Sequence, residues 1–190
     1  MCGIIGYVGH RSCQEVLFSG LRKLEYRGYD SAGVAWLEKG RTRCVRVVGN
    51  LDASGAALQR LDDGAPPVAV VEVPSVGIGH TRWATHGAVS ERNAHPHRDA
   101  SGRIRIVLNG IIENHMSLRE RMVGDTARWS SETDAEAVAH LVALNYEGDL
   151  AEAVQNSLPD LTGTTHSWLC ARNSPKNWWP RNLAKTVTVE

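Results

Sequence analysis

The chain has 190 residues, of which 42% are hydrophobic and 22% are charged, and its formal net charge is +0. This length fits one globular domain with a sizeable core. The balanced charge gives no argument for nucleic acid or an anionic membrane as a partner, and no apolar stretch approaches the roughly 20 residues that a membrane span needs. The N-terminus lacks the basic region and longer apolar core of a secretory signal, so we expect a cytoplasmic protein.

The predicted elements of the first half are mostly strands. In chain order they are a strand over 3–9, a helix over 12–24, a glycine-rich loop over 25–33, strands over 34–37 and 44–49, a weak helix over 51–61 and an irregular, Pro-rich connection over 62–75. The helix is predicted from apolar residues that recur every three or four positions.

The second half alternates strands and helices. Strands are predicted over 76–83 and 104–110. The capping boxes Ser117–Glu120 and Thr133–Glu136 each predict a helix start, and a short helix over 150–158 follows. Because strands come in runs with helices between them, the pattern favours an α+β or layered α/β fold over a regular βαβ repeat.

Residues 164–190 differ from the rest of the chain. They contain three of the six tryptophans and two prolines, and we find no helical or strand period in them before the final "TVTVE". We expect this tail to lie outside the packed domain.

Cys2 is an unusual second residue. Methionine aminopeptidases remove Met1 before a small residue, which would leave a thiol and an α-amine on Cys2. An α-amine has a pKa near 7.7–8.0, so it can act as the base that takes the thiol proton. The alternative is that Cys2 is an ordinary buried small residue.

The motif "HTRWATHG" follows a predicted strand at 80–87. Arg82 can bind a carboxylate through two parallel hydrogen bonds, Trp83 can form a wall, and Thr85 and His86 can donate or accept hydrogen bonds. The alternative is a polar turn with a packed tryptophan.

Nearby, "NAHPH" places His95 and His97 around a proline. A metal site would need a further ligand with recognised spacing, so we favour a structural role for these histidines.

Two later motifs also carry polar groups. In "LNGIIEN", the Asn109 amide and the Gly110 N–H could form an oxyanion hole, although Asn-Gly is also a strong turn signal. In "SETDAE", Asp134 lies in the first turn of a helix, where it could face a ligand's ammonium group or simply cap the helix.

Together, and in this order, the motifs resemble a known family. "MCGI", "LRKLEYRGYDSAG", "GIGHTRWATHG", "NAHPH", "NGIIENH" and "SETDAE" look like the N-terminal glutaminase domain of the glutamine–fructose-6-phosphate aminotransferases, also called glucosamine-6-phosphate synthases. The resemblance covers residues 1 to about 163. Amidophosphoribosyltransferases and asparagine synthetases share the terminal cysteine and the fold but match two of these stretches less well.

The resemblance implies an α+β N-terminal-nucleophile hydrolase fold, with two sheets stacked between helix layers, and a type-2 glutamine amidotransferase that uses no cofactor or metal. It implies that Cys2 attacks L-glutamine, that Asn109 and Gly110 form the oxyanion hole, and that Arg27 belongs to the loop that orders the nucleophile. The pocket residues it implies are Arg82 for the α-carboxylate, Trp83, Thr85 and His86 for its shape, and Asp134 for the α-ammonium.

The chain also departs from the family pattern. Leu108 stands where the family often has His, and likeness ends after "LTG" at 161–163, where the family continues into further strands and two sugar-isomerase domains that bind fructose 6-phosphate. We therefore expect a partial glutaminase domain over 2–163 and a tail over 164–190 read out of frame. The alternative function is an inactive remnant or a non-catalytic glutamine-binding module.

Overall fold

The computed structural model describes residues 2–38, 41–49, 70–84, 87–122 and 129–171. The chain divides into two compact units, one over Met1–Pro96 and the other over His97–Glu190. Each unit contains one antiparallel sheet and its own helices. No described helix is long and apolar enough to cross a membrane.

The described residues of the first unit form a four-stranded antiparallel sheet and one helix. In chain order its elements are β1 (Gly3–Arg11), α1 (Cys13–Leu24), a short 3-10 turn (Glu25–Arg27), β2 (Ser31–Glu38), β3 (Arg41–Val48), β4 (Val70–Arg82) and a second 3-10 turn (Glu91–Asn93). The strand order is β1-β4-β2-β3. This order places the N-terminal strand beside β4, the strand that carries the "HTRW" motif.

Helix α1 covers one face of this sheet. Ser12 caps its start by accepting a hydrogen bond from the Glu15 amide (3.4 Å). Its apolar face and inward residues of β2 and β3 form the core Cys13, Leu17, Leu21, Ala32, Val34, Trp36, Val45 and Val47. The predicted helical period therefore identifies the buried face correctly.

In the part of the second unit that the structure describes, a three-stranded antiparallel sheet is accompanied by three helices. Its elements are β5 (His97–Arg98), β6 (Ile104–Ile112), α2 (His115–Arg121), α3 (Asp134–Leu144), α4 (Leu150–Ser157), a 3-10 turn (Leu158–Asp160) and β7 (Gly163–Ala171), and the strand order is β5-β6-β7. Helix α3 packs on β6 and buries nearly every residue from Asp134 to Val142. A helix that is apolar almost all round lies inside its unit.

The α+β class is confirmed, and most predicted elements are present with slightly different bounds. Strand β4 begins at Val70, so the last part of the predicted irregular connection over 62–75 is strand; β4 pairs with β1 from Arg11↔Val70 onward. The weak helix predicted over 51–61 lies outside the described residues.

Both predicted capping boxes are wrong in their details. Helix α2 begins at His115 after Asn114, so Ser117 lies inside the helix. Helix α3 does begin after Thr133, but the Thr133 side chain does not cap it. Glu136 instead accepts hydrogen bonds from the segment that precedes Thr133, because that segment folds back over the helix start.

Strand β7 corrects the prediction that residues 164–190 lie outside the packed domain. It pairs with β6 without interruption from Ile112↔Gly163 to Ile104↔Ala171. Thr165, Ser167 and Leu169 are buried, while Thr164 and His166 are exposed. The period of two was hidden because two of the inward residues are polar. Residues 172–190 lie outside the described part, and the frameshift remains a hypothesis.

Thr165 offers a direct test of this strand. The residue is 2% exposed and borders a small apolar cavity lined by Leu108, Val138 and Leu169, and its hydroxyl has no hydrogen-bond partner among the described residues. Because an unpaired buried hydroxyl costs stability, we expect Thr165→Val to raise the free energy of unfolding by about 1 kcal/mol. Urea unfolding measures this, and Thr164→Val on the exposed side of β7 is the control, for which we expect no comparable gain.

Candidate active site

The thiol of Cys2 is fixed by the main chain at the end of β4. Gly3 lies opposite Thr81 in the β1–β4 ladder, and its amide donates to the Thr81 hydroxyl (3.2 Å). The Trp83 amide donates to the Cys2 sulfur (3.1 Å), and the thiol lies within hydrogen-bonding distance of the Trp83 carbonyl oxygen (3.4 Å). Cys2 is only partly buried. This sulfur is thus both positioned and accessible, as a nucleophile must be.

The loop before β2 supports the main chain that holds Cys2. The Asp30 amide donates to the Arg82 carbonyl (3.1 Å), and the Asp30 carboxylate accepts from the Ala84 amide (2.8 Å). Gly28 is buried against the same segment, where an added Cβ would lie 2.7 Å from the Arg82 carbonyl carbon. The sequence prediction assigned the loop role to Arg27 and missed Asp30, although an Asp after Gly-Tyr at the start of a strand is typical of such side-chain-to-backbone bonds.

Arg82 shapes the loop that follows β4. Its side chain is 4% exposed, and its terminal nitrogens donate to the carbonyls of Gly87 (3.3 Å) and Ala88 (3.4 Å). The guanidinium fork that we predicted for a carboxylate therefore also binds main-chain oxygens of its own loop. These two hydrogen bonds fix the position and orientation of the Arg82 guanidinium.

Trp83 presents an aromatic surface next to Cys2. The residue is 45% exposed, and its ring meets the Tyr29 ring edge-to-face at a centroid distance of 5.4 Å. Arg27 lies on the 3-10 turn of the same loop, with its guanidinium 5.9 Å from the Tyr26 ring centroid. The two other predicted pocket residues, Thr85 and His86, lie outside the described residues.

Asn109 and Gly110 lie within β6 rather than in a turn. They pair with His166 and Thr165 of β7, so the tight-turn interpretation of Asn-Gly is wrong. Burial along β6 is interrupted after Leu108, which packs in the core: the strand is accessible from Asn109 to Ile111 and buried again at Ile112. Leu108 therefore has a packing role, and the polar pair follows it at an accessible strand end.

Asp134 links α3 to this strand end. Its Oδ2 accepts from the Ile112 amide (2.9 Å) and its Oδ1 accepts from the Ala135 amide (2.9 Å). The side chain is almost buried, with 8% of the residue exposed. The carboxylate is therefore held at a defined position two residues from Gly110, and the helix N-terminus stabilises its charge.

A buried charged cluster that sequence reasoning missed lies behind Asp134. Glu136 is 1% exposed, and Arg119 reaches within 3.6 Å of its carboxylate. Burial lowers the pKa of Arg119, whereas the nearby Glu136 and Asp134 charges raise it. The capping-box interpretation explained Glu136 without any long-range partner, so nothing in the local pattern pointed to Arg119.

His140 belongs to the same cluster and gives the unit a pH-dependent stability. Burial lowers its pKa, which the charges of Glu136 and Asp99 raise only in part and Arg119 lowers further. Its ring packs against Trp129 at a centroid distance of 4.5 Å. Below the ordinary histidine pKa of about 6.5, the unfolded chain therefore binds more protons than the folded one.

We expect stability to fall as the pH drops below about 6.5, because the depressed pKa in the folded state disfavours protonation of His140. His140→Gln, which cannot titrate, should give a flatter dependence of the unfolding free energy between pH 8 and pH 5. Urea titrations of both proteins at each pH measure the slopes. An unchanged slope would contradict the assignment to His140.

Three further histidines have structural contacts: His95 and His97, for which we favoured a structural role, and His80. His80 and His95 are buried in the first unit with their rings stacked at 4.1 Å, and His97 Nε2 lies 3.0 Å from the Thr133 hydroxyl in the second. Among the described residues, no group of three His, Cys, Asp or Glu side chains could hold a metal ion. The predicted site residues thus form two groups, Cys2 with Arg82 and Trp83 in one unit and Asn109 and Gly110 with Asp134 in the other.

Solved structures identify the class to which this fold belongs. A glutamine phosphoribosylpyrophosphate amidotransferase from B. subtilis matches with a TM-score of 0.68 at 20% identity, covering 90% of this chain and 35% of that one. The structure of the allosteric regulatory enzyme of purine biosynthesis matches with a TM-score of 0.69 at 22% identity, covering 90% of this chain and 36% of that one. The fold is that of the N-terminal-nucleophile glutamine amidotransferases.

The family is shown by sequence. Residues 56–154 match the model of the glutamine amidotransferase domain, and the chain belongs to that family. It is 50% identical over 163 residues to a glutamine–fructose-6-phosphate aminotransferase [isomerizing] of Symbiobacterium thermophilum and 47% identical to one of Thermus thermophilus, with 86% of this chain covered in each case. The chain spans about a quarter of the length of these relatives, 25% and 26% respectively.

Proposed function

We propose that this chain is the glutaminase half of a glutamine–fructose-6-phosphate aminotransferase and that Cys2 is its nucleophile. The observation that carries the proposal is the placement of the Cys2 sulfur between the amide and the carbonyl of Trp83, at the start of a strand. An amide that points at the sulfur stabilises negative charge on it during attack, and no side-chain base is needed if the α-amine of Cys2 takes the proton.

The proposed reaction is hydrolysis of glutamine in two steps. The Cys2 sulfur attacks the side-chain carboxamide carbon while its proton passes to the α-amine, and a tetrahedral oxyanion forms. The oxyanion collapses, the C–N bond breaks, the leaving nitrogen takes the proton, and ammonia and a glutamyl thioester result. Water then attacks the thioester and releases glutamate and the thiol. Asn109 and Gly110 are proposed to donate to the oxyanion, which is worth about 10²–10³ in rate per donor.

The remaining proposed residues bind the α-carboxylate and α-ammonium groups of glutamine. Arg82 would bind the α-carboxylate, with Trp83, Thr85 and His86 around it, and Asp134 would bind the α-ammonium. The support for Arg82 and Asp134 is that each is a largely buried charge fixed by hydrogen bonds, Arg82 to two carbonyls and Asp134 to two amides. Arg27 and Asp30 would support the loop that positions Cys2.

The name of the aminotransferase relatives includes a second substrate, fructose 6-phosphate. We propose that ammonia released here would serve the amination of that sugar in the cytoplasm. The sugar would bind through isomerase domains outside the matched quarter of those relatives. The proposal involves no cofactor, no nucleic acid and no membrane.

A glutamine-analogue electrophile tests the assignment. Intact mass should show one adduct on a chain that lacks Met1, and peptide mapping should place it on Cys2 rather than on Cys13, Cys44 or Cys170. Excess glutamine should prevent the labelling. A folded chain that binds glutamine but forms no adduct would support a non-catalytic glutamine-binding module, and an adduct elsewhere would overturn the site.

A further inference from the structure

A charged pair, the buried Glu136 and the partly buried Arg119, holds the four residues that lead into α3. Glu136 and Arg119 contact the segment Ser130–Thr133 from two sides, and this segment ends immediately before Asp134. Neither residue belongs to the proposed chemistry.

Both carboxylate oxygens of Glu136 accept hydrogen bonds from the start of the segment. Oε1 accepts from the Ser130 amide (2.7 Å) and hydroxyl (2.6 Å), and Oε2 accepts from the Ser131 amide (2.7 Å) and hydroxyl (2.7 Å). Each oxygen thus takes one N–H and one O–H. Four charge-assisted hydrogen bonds to two consecutive residues define both the position and the orientation of this backbone.

The Arg119 guanidinium binds the end of the same segment. It donates to the carbonyls of Ser131 (3.0 Å) and Thr133 (2.7 Å), and it lies 4.3 Å from the Trp129 ring centroid. The carboxylate therefore satisfies the amides and the guanidinium satisfies the carbonyls. Thr133 is fixed once more through its hydroxyl, which lies 3.0 Å from His97 Nε2.

Removing the Glu136 carboxylate from water, and part of the Arg119 guanidinium with it, costs folding free energy. Well-packed apolar residues often stabilise a core as well or better, so stability alone does not explain this pair. The charged pair fixes the backbone conformation of Ser130–Thr133, and this segment sets the position of Asp134. The Asp134 carboxylate then completes the arrangement by accepting from Ile112 of β6 and from Ala135.

We propose that Arg119 and Glu136 are positioning residues for Asp134, which they hold where it can bind the α-ammonium group of the amino-acid substrate. This inference rests on the proposed function of Asp134. Arg119 and Glu136 would then contribute to the enzyme's selectivity for glutamine over the corresponding amide that lacks the α-amine.

Selectivity is the readout that separates positioning from general stability. The measured quantity is the ratio of kcat/KM for glutamine to kcat/KM for desamino-glutamine, the five-carbon monoamide acid without the α-amine. Glu136→Gln keeps the shape but puts an NH₂ group where two donors point, and Arg119→Met removes both carbonyl bonds. We expect each to lower the ratio about tenfold or more, mainly through the KM for glutamine, with Arg119→Lys restoring part of it.

Combining Asp134→Ala with Glu136→Gln decides whether Glu136 affects selectivity through Asp134. Asp134→Ala alone should lower the ratio, and adding Glu136→Gln should then change it no further. If Asp134→Ala lowers the ratio while Glu136→Gln and Arg119→Met lower kcat/KM equally for both substrates, the positioning proposal is overturned and the proposed function stands. If Asp134→Ala leaves the ratio unchanged, the ammonium role of Asp134 is overturned, and the inference falls with it.

Amide hydrogen exchange gives a readout that needs no turnover. In Glu136→Gln, the Ile112 and Ala135 amides should exchange at least about tenfold faster, whereas the Ala153 amide in α4, bonded to the Asp149 carbonyl, should keep its rate. Unchanged exchange at Ile112 and Ala135, or equal acceleration at all three amides, would overturn the proposal.

Discussion

Replacing Cys2 by alanine should abolish glutamine hydrolysis, with a loss of at least about 10⁴-fold in kcat. The reason is that the proposed nucleophile is lost and the other cysteines lie elsewhere: Cys13 is buried in the core with α1, Cys44 lies on β3, and Cys170 is buried on β7. Glutamate release from the purified chain measures the loss. Retained hydrolysis in this variant would mean that another residue is the nucleophile.

The Cys2 variants should remain folded, which makes the loss interpretable. The sulfur contacts the Trp83 main chain, and the core of the first unit does not include Cys2. We therefore expect an unfolding free energy within about 0.5 kcal/mol of the wild-type chain, as for other substitutions away from the core. Cys2→Ser keeps the size and is the matched control, and it should be nearly as inactive because the hydroxyl is a far weaker nucleophile.

A second variant separates the role of the Cys2 α-amine from that of its thiol. A glycine placed before Cys2, retained in the mature chain, leaves the thiol in place but converts the amine into an amide, which cannot accept a proton. We expect a loss of similar order to that of Cys2→Ala. Full activity in the extended chain would show that a different group is the base.

The sequence was enough to predict the first unit because its signals are local. The α1 period and the short apolar strand segments each involve a few neighbouring residues, and the structure confirms them. The "HTRW" motif was also located correctly at the end of a strand. What the motif could not reveal is that Arg82 binds its own loop and that Asp30, more than fifty positions away, holds the amide of Ala84.

The second unit shows which features a single sequence hides. Glu136 and Arg119 are 17 positions apart, and only the fold brings them together. Strand β7 was missed because its inward positions include Thr165 and Ser167, and polar residues conceal a period of two until the partner strand is known. Asn-Gly favoured a turn because that pair usually supplies one, yet here β7 supplies the pairing that keeps it in a strand.

Gly110→Ala is expected to cost about 3 kcal/mol or more of folding stability, a large part of the 5–15 kcal/mol typical of a domain. Two effects add. The backbone at Gly110 has φ +120, a conformation that residues with a side chain rarely adopt, and an added Cβ would lie 2.2 Å from the Thr164 carbonyl oxygen. Because this oxygen belongs to the paired strand β7, relief of the contact requires the β6–β7 ladder to separate.

A matched variant separates these two effects. Gly49 also has a large positive φ, +98, but no atom lies within 4 Å of its added Cβ. Gly49→Ala should therefore cost only the conformational term, about 1–2 kcal/mol. Urea unfolding of both variants gives the comparison. Equal costs would contradict close approach of β7 to Gly110. A cost at Gly110 that exceeds the one at Gly49 by about 2 kcal/mol would show that β7 packs in solution against the strand that carries the proposed oxyanion donors.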